Sequence, residues 1–179
     1  MTHIVRRARG FRLDALWLSI LLWAALGPAG AHAAEAEPIR LLVLDLEIIG
    51  DLTDPVSNAE HQARLATTSD QLRAELSRAA RYEVVDAAPA REMIESLRAT
   101  QYLYKCNGCE IDIAEQLGAD QVLVAWVHRV SQLILTLTYE IREVPSAKPI
   151  RRKAFEFRGD NDAGWSRAVS AMAEDLASQ

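Results

Sequence analysis

The chain has 179 residues, half of them apolar, and a formal net charge of −5 at pH 7. This length and composition fit one globular domain together with any processed segment. The acidic balance argues against a nucleic-acid partner, which requires a concentrated basic surface, because the one basic cluster beyond the N-terminal segment, at residues 151–153, has acidic neighbours.

The N-terminus has the order of a secretory signal peptide. Four arginines lie within the first twelve residues, an apolar run follows from Ala15 to Leu26, and the small-residue triplet Ala31-His32-Ala33 comes next. Such an order predicts export and cleavage. We expect residues 1–33 to be removed, leaving a lead-in over 34–38 and one domain over 39–178 in the periplasm. The remainder holds no apolar run of about 20 residues, so we expect no membrane span after cleavage.

Strand and helix alternate in the first half of the expected mature chain. Residues 39–49 (IRLLVLDLEII) are apolar on both parities, which predicts one strand buried on both faces. Ser57-Asn58-Ala59-Glu60 predicts a capping box that starts a helix running to about Ala80. Residues 81–86 (RYEVVD) then predict a short strand.

Two short helices are predicted next, with an irregular stretch between them. Pro89 suits the first turn of a helix that ends near Ala99. Residues 100–109 form the irregular stretch, and a second helix is expected from Glu110 to Leu117. Gly118 fits a left-handed C-terminal stop.

The last third predicts three strands and a helix. Residues 121–130 are apolar on both parities, residues 133–142 alternate apolar and polar, and residues 152–158 alternate again after a turn. Asp160 or Asn161 can cap the final helix. The order β-α-β-α-α-β-β-β-α predicts a single-domain α/β fold, with a mixed sheet, an antiparallel meander at its C-terminal end and packed helices.

Two segments carry a family resemblance: Arg81-Tyr82-Glu83-Val84-Val85-Asp86, and Ala114 with Leu117-Gly118-Ala119-Asp120. In these segments and in element order, residues 39–177 resemble the secreted domains of the TolB N-terminus, of CsgG and of the penicillin-binding-protein activator LpoB. The chain is also similar to a group of small, uncharacterised proteobacterial periplasmic proteins with a cysteine pair before the short helix. The resemblance implies a binding or assembly module rather than an enzyme, and fold analogy alone is a weak guide to function.

Cys106-Asn107-Gly108-Cys109 is the sharpest local signal. In an oxidising compartment the two cysteines predict a disulfide that fixes the irregular segment. A CxxC at a helix start is also a candidate thiol–disulfide exchange site, because a helix N-terminus favours the thiolate. Metal binding is the third interpretation, but a zinc site needs about four ligands and the chain holds only these two cysteines. We favour the structural disulfide and assign no metal or cofactor.

Tyr102 and Tyr104 are the best candidates for an interaction surface, because aromatic side chains on irregular segments are common in recognition patches. Local packing over the cysteine pair is an equal alternative for both tyrosines.

Four acidic residues near the end of the first predicted strand, Asp45, Glu47, Asp51 and Asp54, form a candidate ligand or cation site. The competing interpretation, which we favour, is that they cap strand ends and satisfy loop amides. His61 is expected to be exposed, and His128 to be a core or edge histidine.

Together these features predict a non-enzymatic periplasmic accessory protein without a cofactor. It would bind a periplasmic protein or a small ligand through residues 100–109 and the adjacent strand-end loops. A redox component that uses Cys106 and Cys109 is the alternative.

Overall fold

The computed structural model describes residues 37–50 and 52–178, so the expected signal peptide lies outside the described residues. The strands are β1 (Ile39–Val43), β2 (Glu47–Gly50), β3 (Tyr82–Val85), β4 (Gln121–Arg129), β5 (Ile134–Glu143) and β6 (Pro149–Arg158). The α-helices are α1 (Pro55–Arg78), α2 (Arg91–Arg98), α3 (Cys109–Gln116) and α4 (Asp162–Ala177), with single 3-10 turns at Ala88–Ala90 and Leu103–Lys105.

Within the described residues the strands form one mixed sheet with the order β3-β1-β4-β5-β6, and β2 continues beside β4. Strands β1, β2 and β3 run parallel to their neighbours, whereas β4, β5 and β6 form an antiparallel meander. This topology confirms the predicted mixed α/β fold class and the position of the meander.

Helices cover both faces of the sheet. Buried residues of α1 and α4, such as Leu72 and Trp165, pack on one face together with Leu137 of β5. On the other face α3 and residues 100–109 pack against β1 and β4. Strand β4 is buried on both sides, which explains its continuous apolar sequence.

The predicted single strand over residues 39–49 is wrong, because the structure divides it into β1 and β2. Both parts pair with β4, but three residues, 44–46, stand opposite two residues of β4, 124 and 125. This extra residue is a β-bulge. Before the bulge the odd-numbered side chains face α1, and after it the even-numbered side chains do. Leu44 packs on the α3 side, whereas Leu46 and Ile48 pack on the α1 side.

The predicted capping box at Ser57 is also wrong. Asp54 is the N-cap of α1, and its carboxylate accepts the backbone N–H of Val56 and of Ser57 at 3.1 and 3.4 Å. Pro55 occupies the first helical position, where its missing N–H costs nothing. The Ser57 hydroxyl donates to Asp54 instead of capping the helix itself.

The predicted stop of α3 and cap of α4 are confirmed, whereas Pro89, predicted in the first turn of a helix, lies in the 3-10 turn that precedes α2. Gly118 follows α3 with a φ of 66°, the left-handed conformation expected of a glycine stop. Asn161 caps α4 by accepting the Gly164 N–H at 2.9 Å. No helix among residues 37–50 and 52–178 is long and apolar enough to cross a membrane.

Candidate functional site

A groove of about 900 Å³ lies between α1, α2 and the irregular segment that follows α2. Ile48 and Leu65 form part of its apolar floor, whereas Arg98, Tyr102 and Lys105 line it from α2 and the irregular segment. The groove therefore joins an apolar base to a charged and aromatic rim.

Glu47 fixes the irregular segment to the sheet. Its carboxylate, only 6% exposed, accepts the backbone N–H of Leu103 at 2.9 Å and that of Tyr104 at 3.0 Å. Burial raises the pKa of Glu47, although the two amide bonds and the cations of Arg98 and Lys105 oppose the rise. The first residue of β2 thus determines the shape of the groove rim.

Asp45, in the bulge, joins the two helices that flank the groove. Its carboxylate pairs with Arg73 of α1 and with Arg98 of α2, the latter at 2.7 Å. Burial opposes its charge, but the two arginines outweigh burial and hold the pKa of Asp45 below its usual range. The bulge is what directs this side chain away from the core.

Tyr102 and Tyr104 belong to a stack of aromatic and cationic side chains, which we call the tyrosine face. The ring of Tyr104 stacks on Trp126 of β4 with 4.4 Å between centroids, and Tyr102 lies 5.7 Å from Tyr104. Lys105 lies over both tyrosine rings, and Arg152 covers Trp126. Tyr102 is 38% exposed, whereas Tyr104 is partly buried by its stacking.

Cys106 and Cys109 are joined by a disulfide at the start of α3. Cys106 is partly exposed and Cys109 is buried. The carboxylate of Glu110, which has no exposed surface, lies 3.0 Å from the sulfur of Cys106 and is paired with Arg142 of β5. The disulfide and this ion pair together fix the irregular segment to α3 and the sheet.

The four predicted acidic residues do not form one shared arrangement among the described residues. Asp45 is held by arginines, Glu47 by backbone amides and Asp54 by the first turn of α1, while Asp51 lies outside the described residues. The one described group of three potential ligand residues is Cys106, Cys109 and Glu110. The cation site at the strand end stays a prediction.

Sequence reasoning missed a buried polar cluster near the start of α1. His61, expected to be exposed, is only 1% exposed and lies 2.8 Å from Asp160 through Nε2. Asp160 also accepts from Arg129 at 2.8 Å and from the Trp165 indole at 3.0 Å. His61 begins the stripe that continues at Leu65, and this spacing could have revealed its burial.

His128 is exposed on β4, a strand that pairs with β2 and β5 at this position, so the prediction of a core or edge position is wrong. Glu110 was also missed as part of the cysteine site. Its position directly after the second cysteine was the available signal.

Fold and site together define a class: an α/β domain whose most prominent feature is an open groove beside a fixed aromatic segment. Within that class, the chain belongs to the DUF3280 family, whose model is described as "Protein of unknown function (DUF2380)" and matches residues 39–176. This membership agrees with the predicted similarity to an uncharacterised group of proteins. A search of curated proteins found no match.

Solved structures give weak sequence similarity over most of the chain. Lipoprotein GNA1162 from Neisseria meningitidis is 20% identical, with 78% of this chain and 97% of that chain covered and a TM-score of 0.51. The LpoB C-terminal domain from Escherichia coli is 18% identical, covering 72% and 87%, with a TM-score of 0.48. The PelC dodecamer from Paraburkholderia phytofirmans is 13% identical, covering 79% and 89%, with a TM-score of 0.45. At these identities the likeness concerns the fold alone.

Proposed function

We propose that this protein is a non-enzymatic accessory module of the bacterial envelope, which binds a partner protein in the periplasm through the tyrosine face and the adjacent groove. The leader-like N-terminus supports the location. The observation that carries the binding role is the fixed presentation of Tyr102 on an irregular segment, held from below by Glu47 and closed by the disulfide.

A fixed segment favours binding for a physical reason. Association costs the conformational freedom of every loop and side chain that becomes ordered, and a segment already ordered in the free protein avoids much of this cost. Hydrogen bonds to Glu47 restrict the backbone of residues 103 and 104, and the stacking of Tyr104 on Trp126 restricts its side chain.

The composition of the rim favours a protein partner over a small ligand. Tyrosine and arginine are enriched in protein interfaces, where their long, partly polar side chains form the strongest contacts. Tyr102, Lys105 and Arg98 lie together beside the apolar floor of the groove. Glu95 adds an acidic group on the same rim, so the surface suits a partner with both apolar and charged groups.

Site-specific photo-crosslinking in exporting cells tests this proposal. A photoreactive residue is introduced at Tyr102, and a matched control is introduced at the exposed Arg167 of α4, on the opposite face. We expect a discrete cross-linked protein from position 102 alone, and competition by purified wild-type protein but not by a Tyr102→Ala variant. Identical adducts from both positions, or none from position 102, would contradict the proposal.

The thiol–disulfide redox role is the second candidate function. The contact between the Glu110 carboxylate and the Cys106 sulfur favours it, because a carboxylate at this position can accept a hydrogen bond from the thiol of the reduced pair.

A further inference from the structure

The cysteine pair has an unusual neighbour. Glu110 lies on the first turn of α3, and its side chain is completely buried. One carboxylate oxygen is paired with Arg142, and the other accepts the Gly108 N–H at 3.2 Å and lies 3.0 Å from the Cys106 sulfur. Two donors thus compensate the buried charge, and the oxygen beside the Cys106 sulfur can still accept one more hydrogen bond.

The contact between Glu110 and the Cys106 sulfur contributes differently to the free energies of the oxidised and reduced states. In the disulfide, the Cys106 sulfur carries no hydrogen, so the oxygen faces sulfur lone pairs and gains no hydrogen bond. In the dithiol, the Cys106 thiol can donate its hydrogen to the same oxygen without any movement of Glu110. A hydrogen bond to an ionised acceptor is stronger than one to a neutral acceptor. Glu110 therefore stabilises the reduced state relative to the oxidised state.

We propose that Cys106–Cys109 is a reversible redox site for thiols, and that Glu110 is the positioning residue that makes its disulfide reducible. This inference rests on the second candidate function, which it deepens by naming the residue that sets the redox equilibrium, and it is independent of the binding role. It adds a modification of the chain, reduction by small thiols, to the mechanical function of the disulfide.

The exchange reaction balances with a monothiol as the co-reactant. A thiolate attacks the partly exposed sulfur of Cys106, the bond between the two cysteines breaks, and Cys109 leaves with the electron pair at the N-terminus of α3, where a thiolate is favoured. A second thiolate attacks the sulfur of the small thiol that is now bonded to Cys106. A small disulfide leaves, and Cys106 is released as a thiolate. Each cysteine takes up one of the two protons that the thiols lose, so the protein disulfide gains two electrons and the two thiols lose two.

Equilibration of the mature protein in glutathione buffers at pH 7, with alkylation and mass spectrometry as the readout, tests the proposal. Glu110→Gln replaces the ionised acceptor, so we expect the equilibrium to shift about tenfold towards the disulfide, because a hydrogen bond to a charged acceptor is stronger than one to a neutral amide. Glu140→Gln is the matched control, since Glu140 also pairs with Arg142, at 2.7 Å, whereas of these two acidic residues it is Glu110 that lies beside the Cys106 sulfur. We expect this control to stay within about twofold of wild type, because the pair of Glu140 with Arg142 is the same in the oxidised and reduced states and so cancels from the equilibrium.

Two further measurements keep the test independent of folding defects in Glu110→Gln. Glu110→Asp keeps the charge but shortens the side chain, so it should shift the equilibrium in the same direction. The infrared S–H stretch of the reduced wild type should lie below that of an unbonded cysteine thiol. An unchanged equilibrium in folded Glu110 variants, or an unshifted S–H stretch, overturns the proposal. Neither readout involves a partner, so failure here is separate from failure of the binding role.

Discussion

Replacement of Glu47 by alanine tests how the irregular segment is held. The change leaves the buried Leu103 N–H and the partly buried Tyr104 N–H without their acceptor. A buried donor without a partner costs about 1–3 kcal/mol, and the Tyr104 amide, closer to solvent, costs less. Loss of the buried carboxylate charge offsets part of this penalty. We expect Glu47→Ala to lower the free energy of unfolding by about 1–3 kcal/mol.

Urea denaturation followed by tryptophan fluorescence measures this loss, and Trp126 beneath Tyr104 reports directly on the segment. Glu95→Ala is the matched control, because Glu95 lies exposed on the same groove and carries the same charge. We expect the control to change the unfolding free energy by less than about 0.5 kcal/mol. If Glu47→Ala were as mild as this control, the segment would be held by packing alone and the reasoning would be refuted.

Three further predictions follow from caps and charges. Asp54→Ala should lower the urea midpoint more than Ser57→Ala, because Asp54 alone accepts the amides of the first turn of α1. Hydrogen bonds from His61 and other donors outweigh burial and hold the pKa of Asp160 below its ordinary 3.8. The stabilisation that the Asp160 carboxylate provides is therefore present above pH 3.8 and lost as pH falls further. The free energy of unfolding should consequently fall less at low pH in Asp160→Asn than in wild type. Burial raises the pKa of Glu47 above 4.5, so the folded state binds the proton more tightly, and stability should fall as pH rises from 4.5 in wild type but not in Glu47→Gln.

The elements that sequence alone predicted well are those with one clear pattern. The strand at residues 133–142 alternates apolar and polar residues, and β5 spans Ile134–Glu143. Its apolar face joins the core on the α1 side, and Thr138 and Glu140 on the opposite face are buried as well. The final helix has a single apolar stripe, and α4 buries Trp165, Val169 and Met172 from that stripe. In both elements the apolar side chains recur with the period of the backbone, so the pattern identifies the element and the face that joins the apolar core.

No sequence pattern indicates the bulge between β1 and β2. Residues on both faces of β1 and β2 are buried, so the sequence is apolar on both parities and a change of phase is invisible in it. The N-cap of α1 was misplaced because two polar residues compete there. Pro55 was the deciding signal, since proline is preferred at the first helical position and Asp54 precedes it.

The candidate site was only partly predictable for a related reason. The cysteine pair and the tyrosines are local features of one segment, and the sequence indicates them directly. Their partners, Glu47 and Arg142, come from β2 and β5, at positions 59 and 36 residues from Cys106, and only the folded sheet brings them there. Local patterns carry no information on such long-range contacts.

The bulge at residues 44–46 also determines how this chain can change in length. Most connections between strands accept a lost residue, because the shift is absorbed by a flexible loop. Here the extra residue is Asp45, and its loss would leave residues 44 and 46 opposite residues 124 and 125 of β4. Glu47 and Ile48 would then keep their partners on β4 and their faces of the sheet. The ion pairs of Asp45 with α1 and α2 would be lost instead, so the extra residue serves the two helices that flank the groove rather than the register of the sheet.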